Sequence, residues 1–120
     1  MYHYKAKVLR VVDGDTYDME VDLGFDIRFT ARFRLRGIDT PETWRPKTEA
    51  EREHGERATV FVKNLIEGKE VRVYSSKLGI YGRYACDIML DGKQKENGVF
   101  ETQSLAQILK EEGFEKKDSY

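Results

Sequence analysis

The sequence predicts a small, mainly β fold of the α+β class, with helices appended to a curved sheet. Three observations carry that prediction: two consecutive strands of strict period two, a helical period between residues 56 and 67, and a return to short strands after it. At 120 residues there is room for one hydrophobic core, so residues 1–120 read as a single domain.

The first strand covers residues 4–12 and ends at Asp13-Gly14, a hairpin signal. From Thr16 to Leu23 the chain alternates, with Tyr17, Met19, Val21 and Leu23 on one face and Asp18, Glu20 and Asp22 on the other. From Ile27 to Leu35 it alternates again. Ile27, Phe29, Ala31, Phe33 and Leu35 share the apolar face, and Arg28, Thr30, Arg32, Arg34 and Arg36 share the other. Strands of this kind need a core on one side and water or ligand on the other. Gly37 then puts Ile38 out of phase, which a bulge or sharp bend explains.

Residues 43–55 are polar and read mostly as loop, although Thr48 to Glu51 has the form of a capping box that starts the helix early. Ala58, Phe61, Val62, Leu65 and Ile66 give the helical stripe, and Gly68 its stop. Short strands come next at Glu70–Tyr74 and Tyr84–Leu90, separated by a loop from Ser75 to Gly82; Asp91-Gly92 reads as a turn. Leu105, Ala106, Ile108 and Leu109 mark a terminal helix stopped at Gly113, and residues 114–120 read as a tail that frays or is tethered by Tyr120 alone. Five short strands with a helix between the third and fourth match the order of a five-stranded OB-type barrel with two or three appended helices.

Apolar residues at 39% suffice for a core and argue against disorder. The 21 basic residues nearly cancel the 22 acidic ones, so any surface for a polyanion must be local. The single cysteine, Cys86, excludes an internal disulfide and reads as core filling; His3 and His54 read as surface residues and complete no zinc pattern. No apolar run reaches the length of a membrane span or a signal-peptide core. The chain as it stands reads as soluble, cytoplasmic and monomeric.

Two carboxylate clusters draw attention. Asp15 comes after the first hairpin and Asp39 after the break at Gly37, so sequential pairing of the first three strands brings both to one end of the sheet. Hard oxygen ligands from separate segments suit calcium or magnesium. The plainer reading of Asp13-Gly14-Asp15 is a turn, and that of Asp39-Thr40-Pro41-Glu42 a capped turn. Among the arginines, Arg28, Arg32 and Arg36 are balanced by Asp18, Glu20 and Asp22 across the strand pair. Arg34 stands apart, nearest the break that delivers Asp39 and Glu42, where a guanidinium can grip phosphate. Tyr81-Gly82-Arg83 offers a base-stacking ring, a close backbone approach and a phosphate ligand. Trp44 suits stacking on nucleic acid and packing on the barrel equally.

Val12-Asp13-Gly14-Asp15-Thr16, Phe33-Arg34-Leu35-Arg36-Gly37-Ile38-Asp39-Thr40-Pro41-Glu42 and Tyr81-Gly82-Arg83, in this order and spacing, resemble the staphylococcal nuclease (thermonuclease-like) domain, over roughly Lys5 to Gly113. The resemblance implies an OB-type barrel and a calcium-dependent phosphodiesterase acting on DNA or RNA. It makes Asp15 and Asp39 carboxylate ligands of Ca2+, with Thr40 giving its carbonyl. It makes Glu42 the general base, Arg34 and Arg83 the phosphate clamp, and Asp13 and Thr16 turn-forming or supporting residues. It gives Tyr81 a place near the 5′-side phosphate and Tyr120 that of an aromatic wall. The chain departs from the family pattern at Ile80, where a lysine is expected, in its near-neutral charge, and after Gly113, where no long basic helix is present. The competing readings are a non-catalytic OB-type module binding single-stranded nucleic acid or protein, marked by lost carboxylates, and a metal-stabilised structural domain without substrate.

Overall fold

The computed structural model describes residues 2–75, 84–94 and 100–120. Strands β1 (Tyr2–Asp13), β2 (Thr16–Asp22) and β3 (Arg28–Leu35) form an antiparallel meander, with Val8 opposite Met19 and Tyr17 opposite Phe33. Helix α1 (Glu49–Ile66) comes next, and β4 (Glu70–Ser75) returns antiparallel to β1. Strand β5 (Tyr84–Gln94) lies antiparallel to β4 and, through Phe33 to Leu35, parallel to β3. That parallel seam closes β1, β2, β3, β5 and β4 into a five-stranded barrel. Closure leaves no free sheet edge around the ring. A sixth strand, β6 (Phe100–Ser104), pairs with the outer part of β5 and leads into α2 (Leu105–Glu111).

The barrel interior is what the alternation predicts. Val8, Val11, Tyr17, Met19, Phe33, Leu35, Val71, Val73, Cys86 and Ile88 are buried together. Ala58, Val62 and Ile66 cover one opening from α1, while Leu105 and Leu109 contribute from α2. Burial of each large aliphatic side chain contributes about 1.5–3 kcal/mol. Gly68, at φ +77°, ends α1 as expected, and its N–H joins the carbonyl of Val8 at 2.7 Å.

Several expectations are corrected. The reading of residues 43–55 as mostly loop gives way to its alternative: the helix starts early, at Glu49, because Thr48 caps it, its Oγ1 accepting from the N–H of Glu51 at 3.1 Å. Asp91-Gly92 is not a turn; β5 runs on to Gln94 with an irregular register, and β6, which shows no alternation, pairs with it. The outer half of the β2–β3 hairpin keeps its alternation but finds little to bury against among the described residues, Phe29 meeting the edge of the Tyr84 ring at 5.2 Å between ring centres. Phe25 is 98% exposed at its tip, with Leu23, Ile27 and Phe29 also exposed. The reason is length: β1 pairs β2 only as far as Asp22, and β5 meets β3 only from Phe33 onward. Residues 114–120 are tied down rather than frayed, with Phe114 packed on Phe61 at 5.1 Å between ring centres. Among the described residues no helix is long and apolar enough to cross a membrane.

Burial pushes the Cys86 thiol up to about 12, with the charge of Asp87 adding to the effect and Arg36 opposing it. Cys86 should therefore stay unmodified by a disulfide-forming reagent at pH 8 in the native protein and react fully once denatured. Stoichiometric native labelling on the timescale of the denatured control would contradict the buried placement.

Candidate active site

The site is built where two chain reversals meet. The first is the turn Gly14-Asp15 between β1 and β2. Tyr17, fully buried, donates its hydroxyl to the Gly14 carbonyl, which pins the turn from inside the barrel. Burial holds the phenol well above its ordinary pKa, and the neighbouring Asp15 charge adds to that, so the ring stays a donor. The Asp15 carbonyl accepts from Leu35 N at 2.8 Å, which fastens the turn to the end of β3. Thr16 Oγ1 donates to Asp15 Oδ1 at 3.1 Å.

The second reversal comes directly after β3. Gly37 adopts φ +87°, the left-handed backbone that bends the chain and re-aims the residues beyond it. Ile38 and Thr40 then point inward, while Asp39 is exposed. Thr40 N donates to Asp15 Oδ2 at 3.2 Å, so the two reversals touch. A Cβ at Gly14 would stand 2.9 Å from Thr40 Cγ2, which is why glycine is needed there. Arg34 Nη2 pairs with Asp39 Oδ1 and lies 3.7 Å from Asp15 Oδ2. One guanidinium thus faces carboxylates from both reversals. Arg28 and Arg32 pair with Glu20 and Asp18 as expected, whereas Arg36 pairs with Asp87 on β5 at 2.7 Å rather than with the acids of β2.

Glu42 lies exposed just beyond, on the loop leading to α1. Thr43 Oγ1 donates to Asp13 Oδ1, which gives Asp13 a place in holding that loop. Glu51, on the first turn of α1, accepts from Lys47 N at 3.0 Å and from Glu42 N at 3.4 Å. Gly55, one turn on, lets the loop backbone rest on the helix: a Cβ there would stand 2.6 Å from the Pro41 carbonyl oxygen. Trp44 at the loop tip is 73% exposed, so it does not pack on the barrel. The Arg45 guanidinium sits 4.5 Å above its ring.

His54, expected at the surface, is 5% exposed. Its Nε2 meets the Gly113 carbonyl and its Nδ1 the Tyr120 hydroxyl, each at 2.7 Å. The carbonyl can only accept, so Nε2 carries the proton and Nδ1 accepts from tyrosine. Tyr120 is thereby tied to α1. Lys116 N donates to the Asp39 carbonyl at 2.7 Å, bringing the tail against the second reversal. Tyr81, Gly82 and Arg83, with Ile80, lie outside the described residues; Tyr84, the next residue, pairs with Phe33. Sequence reasoning missed Glu51, His54 and Gly55. The signals available were the glutamate three residues after Thr48 and a glycine inside a helix.

Removing the Tyr17 hydroxyl should leave the Gly14 carbonyl buried and unmatched. Tyr17→Phe is expected to lower unfolding free energy by about 1–3 kcal/mol in a urea titration, with no change in the slope. A loss near zero would mean the turn is not held from within. Glu51 is held below its ordinary carboxylate value of 4.5, chiefly by the Lys47 N–H and then by Glu42 N and Lys116, with burial opposing. A lowered folded pKa means its contribution is complete above about 4.5 and is lost as pH falls through the folded value. Trp44 is the sole tryptophan. Its fluorescence anisotropy should hold steady down to about pH 4.5 and drop as pH falls further, before far-UV circular dichroism changes. Coincident loss of both signals would count against a locally anchored loop.

A family model described as "Staphylococcal nuclease homologue" matches residues 32–119. A thermonuclease of Staphylococcus hyicus is 33% identical over 102 residues, 83% of this chain and 56% of that protein. A micrococcal nuclease of Shigella flexneri is 29% identical over 110 residues, 92% of this chain and 56% of that protein. A thermonuclease of Staphylococcus intermedius is 41% identical over 66 residues, covering 55% of this chain and 36% of that protein. The chain spans about half the length of the first and second of these relatives. With the barrel, the two carboxylate reversals and Arg34 in the arrangement described, the chain belongs to the staphylococcal nuclease homologue family.

Proposed function

We propose that this protein is a calcium-dependent nuclease that hydrolyses phosphodiester bonds of DNA or RNA. The observation that supports it is the convergence of Asp15 and Asp39, from separate chain reversals, on the guanidinium of Arg34, with Glu42 three residues farther along. A binding module would need neither the paired carboxylates nor the glutamate.

The residues fit calcium chemically. Among the described residues no group of three or more His, Cys, Asp or Glu side chains converges, so the carboxylate set is the Asp15–Asp39 pair. Thr40 Oγ1 beside it is buried with no hydrogen-bond partner among the described residues. Calcium accepts such hard oxygens and completes its shell with carbonyls and water. Asp15, Asp39 and the Thr40 carbonyl would hold it. When bound, it would supply a positive charge near the phosphate oxygens.

In this reading Glu42 takes the proton of the attacking water as its oxygen bonds to phosphorus and the bond to the leaving oxygen breaks. Arg34 and Arg83 meet the charge that gathers on the non-bridging oxygens, Arg83 entering through the family resemblance. Asp13 and Thr16 keep the acidic turn and the Glu42 loop in register. Tyr81 contacts the substrate near the 5′-side phosphate. Tyr120 can offer a nucleotide its ring, since its hydroxyl is committed to His54.

Cleavage of single-stranded DNA and of RNA, measured with calcium and with EDTA, tests this. Wild type is expected to cut only with calcium. Glu42→Ala should lose about 10²–10⁴-fold in kcat, and Arg34→Ala or Arg83→Ala about 10²–10³-fold. Binding without cleavage under every divalent metal would make the barrel a binding module instead.

A further inference from the structure

We propose that Glu51, charge-balanced by Lys116, is a positioning residue that fixes the main chain carrying Glu42. The proposal rests on the nuclease reading and names a residue which that reading does not use. Glu51 is only 2% exposed, although it sits on the first turn of an otherwise charged and solvated helix start. A buried carboxylate is costly unless every oxygen is matched. Here three donors match it, two from the loop bearing Glu42 and one from the tail.

In a capping box the glutamate three residues after the capping threonine returns to that residue's own N–H. Glu51 is placed for this, since Thr48 caps its N–H, but its oxygens go elsewhere. Oε2 takes the N–H of Lys47 at 3.0 Å and Oε1 that of Glu42 at 3.4 Å, the two ends of the loop bearing Glu42. Lys116 Nζ lies 3.4 Å from Oε1 and supplies the balancing charge from the tail. The backbone N–H of the same Lys116 holds the Asp39 carbonyl at 2.7 Å. Gly55 supports the arrangement one turn on, admitting the Pro41 carbonyl where any side chain would collide. The exposed Glu42 side chain takes its direction from this backbone, and the loop cannot pivot without uncovering a buried charge.

The test is a double-mutant cycle with Glu51→Gln and Glu42→Gln on single-stranded DNA with calcium. Glu51→Gln keeps the volume but loses the charge and presents an amide N–H toward donors. It is expected to lower kcat by about 10²-fold with KM nearly unchanged, since a displacement of an ångström at a catalytic group costs this much. In the Glu42→Gln background the same change should have almost no effect, because it acts through Glu42. An undiminished loss there, or a loss confined to KM, would overturn the proposal and leave Glu51 a general stabiliser. Lys116→Met, which keeps the aliphatic stem, should reproduce a smaller kcat loss that also vanishes without Glu42, and it serves if Glu51→Gln does not fold. Should wild type itself fail to cut DNA or RNA, the nuclease reading falls, and amide hydrogen exchange decides the clamp. Faster exchange confined to Glu42 and Lys47 in Glu51→Gln or Lys116→Met supports it, and unchanged exchange there rejects it.

Discussion

The structure depends on one residue that holds in two ways. Asp15 accepts from Leu35 N through its main-chain oxygen and from Thr40 N through its side chain. The first bond fastens the β1–β2 turn to the end of β3, and the second fastens the same turn to the chain that has left β3. Without both, the bend that carries Asp39 would lose its ties to the first turn. Neither bond works unless the turn is narrow, and Gly14 against Thr40 makes it so. A hydrogen bond to a charged group contributes about 1.5–3 kcal/mol net, comparable to the cost of about 1–2 kcal/mol for fixing one loop residue. Architecture and candidate chemistry therefore draw on the same carboxylate.

Helix α1 divides its work along its length. Its later turns are conventional, with Ala58, Val62 and Ile66 closing the barrel. Its earlier turns have no apolar stripe, yet Glu51, His54 and Gly55 are buried there. Those three residues fall on one face with Ala58, spaced as a helix requires. The face continues from polar to apolar without changing direction. Its covering role changes instead, from the Glu42 loop and the tail to the barrel. A helix begun only where the hydrophobic stripe begins would close the barrel but leave that loop unsupported.

That division also explains how much is legible in the sequence. Alternation identifies β1, β2 and β3 and their inward faces because a period of two reports the side a residue faces. It does not report how much lies opposite, so Phe25 and Ile27 stand exposed although the apolar pattern runs on through Ile27. The Arg32–Asp18 pair is legible because neighbouring strands impose it. The tail partners of His54 and Glu51, Tyr120 and Lys116, lie about 65 residues away, and no local pattern announces them. Arg36 shows the same limit: its acid sits on β5, joined to β3 only by closure of the barrel. The motif residues Asp15, Arg34, Asp39 and Glu42 read as one group, and the fold gathers the first three. The segment that supports the fourth reads mostly as loop, because its anchor is a carboxylate on a helix start without an apolar stripe.

Charge supplies the last link between fold and proposed chemistry. Asp15 and Asp39 meet where Arg34 is the guanidinium among the described residues that faces both. Among the described residues two aspartates face one arginine there, and the near-neutral chain supplies no strong long-range attraction for a phosphodiester. Arg34 offsets the two carboxylates in part, through a contact it would share with a phosphate. A divalent cation held by the aspartates would release Arg34 toward the substrate and turn the acidic cluster from a barrier into a docking point. In the nuclease reading, calcium would therefore serve binding of the phosphodiester as well as the chemistry.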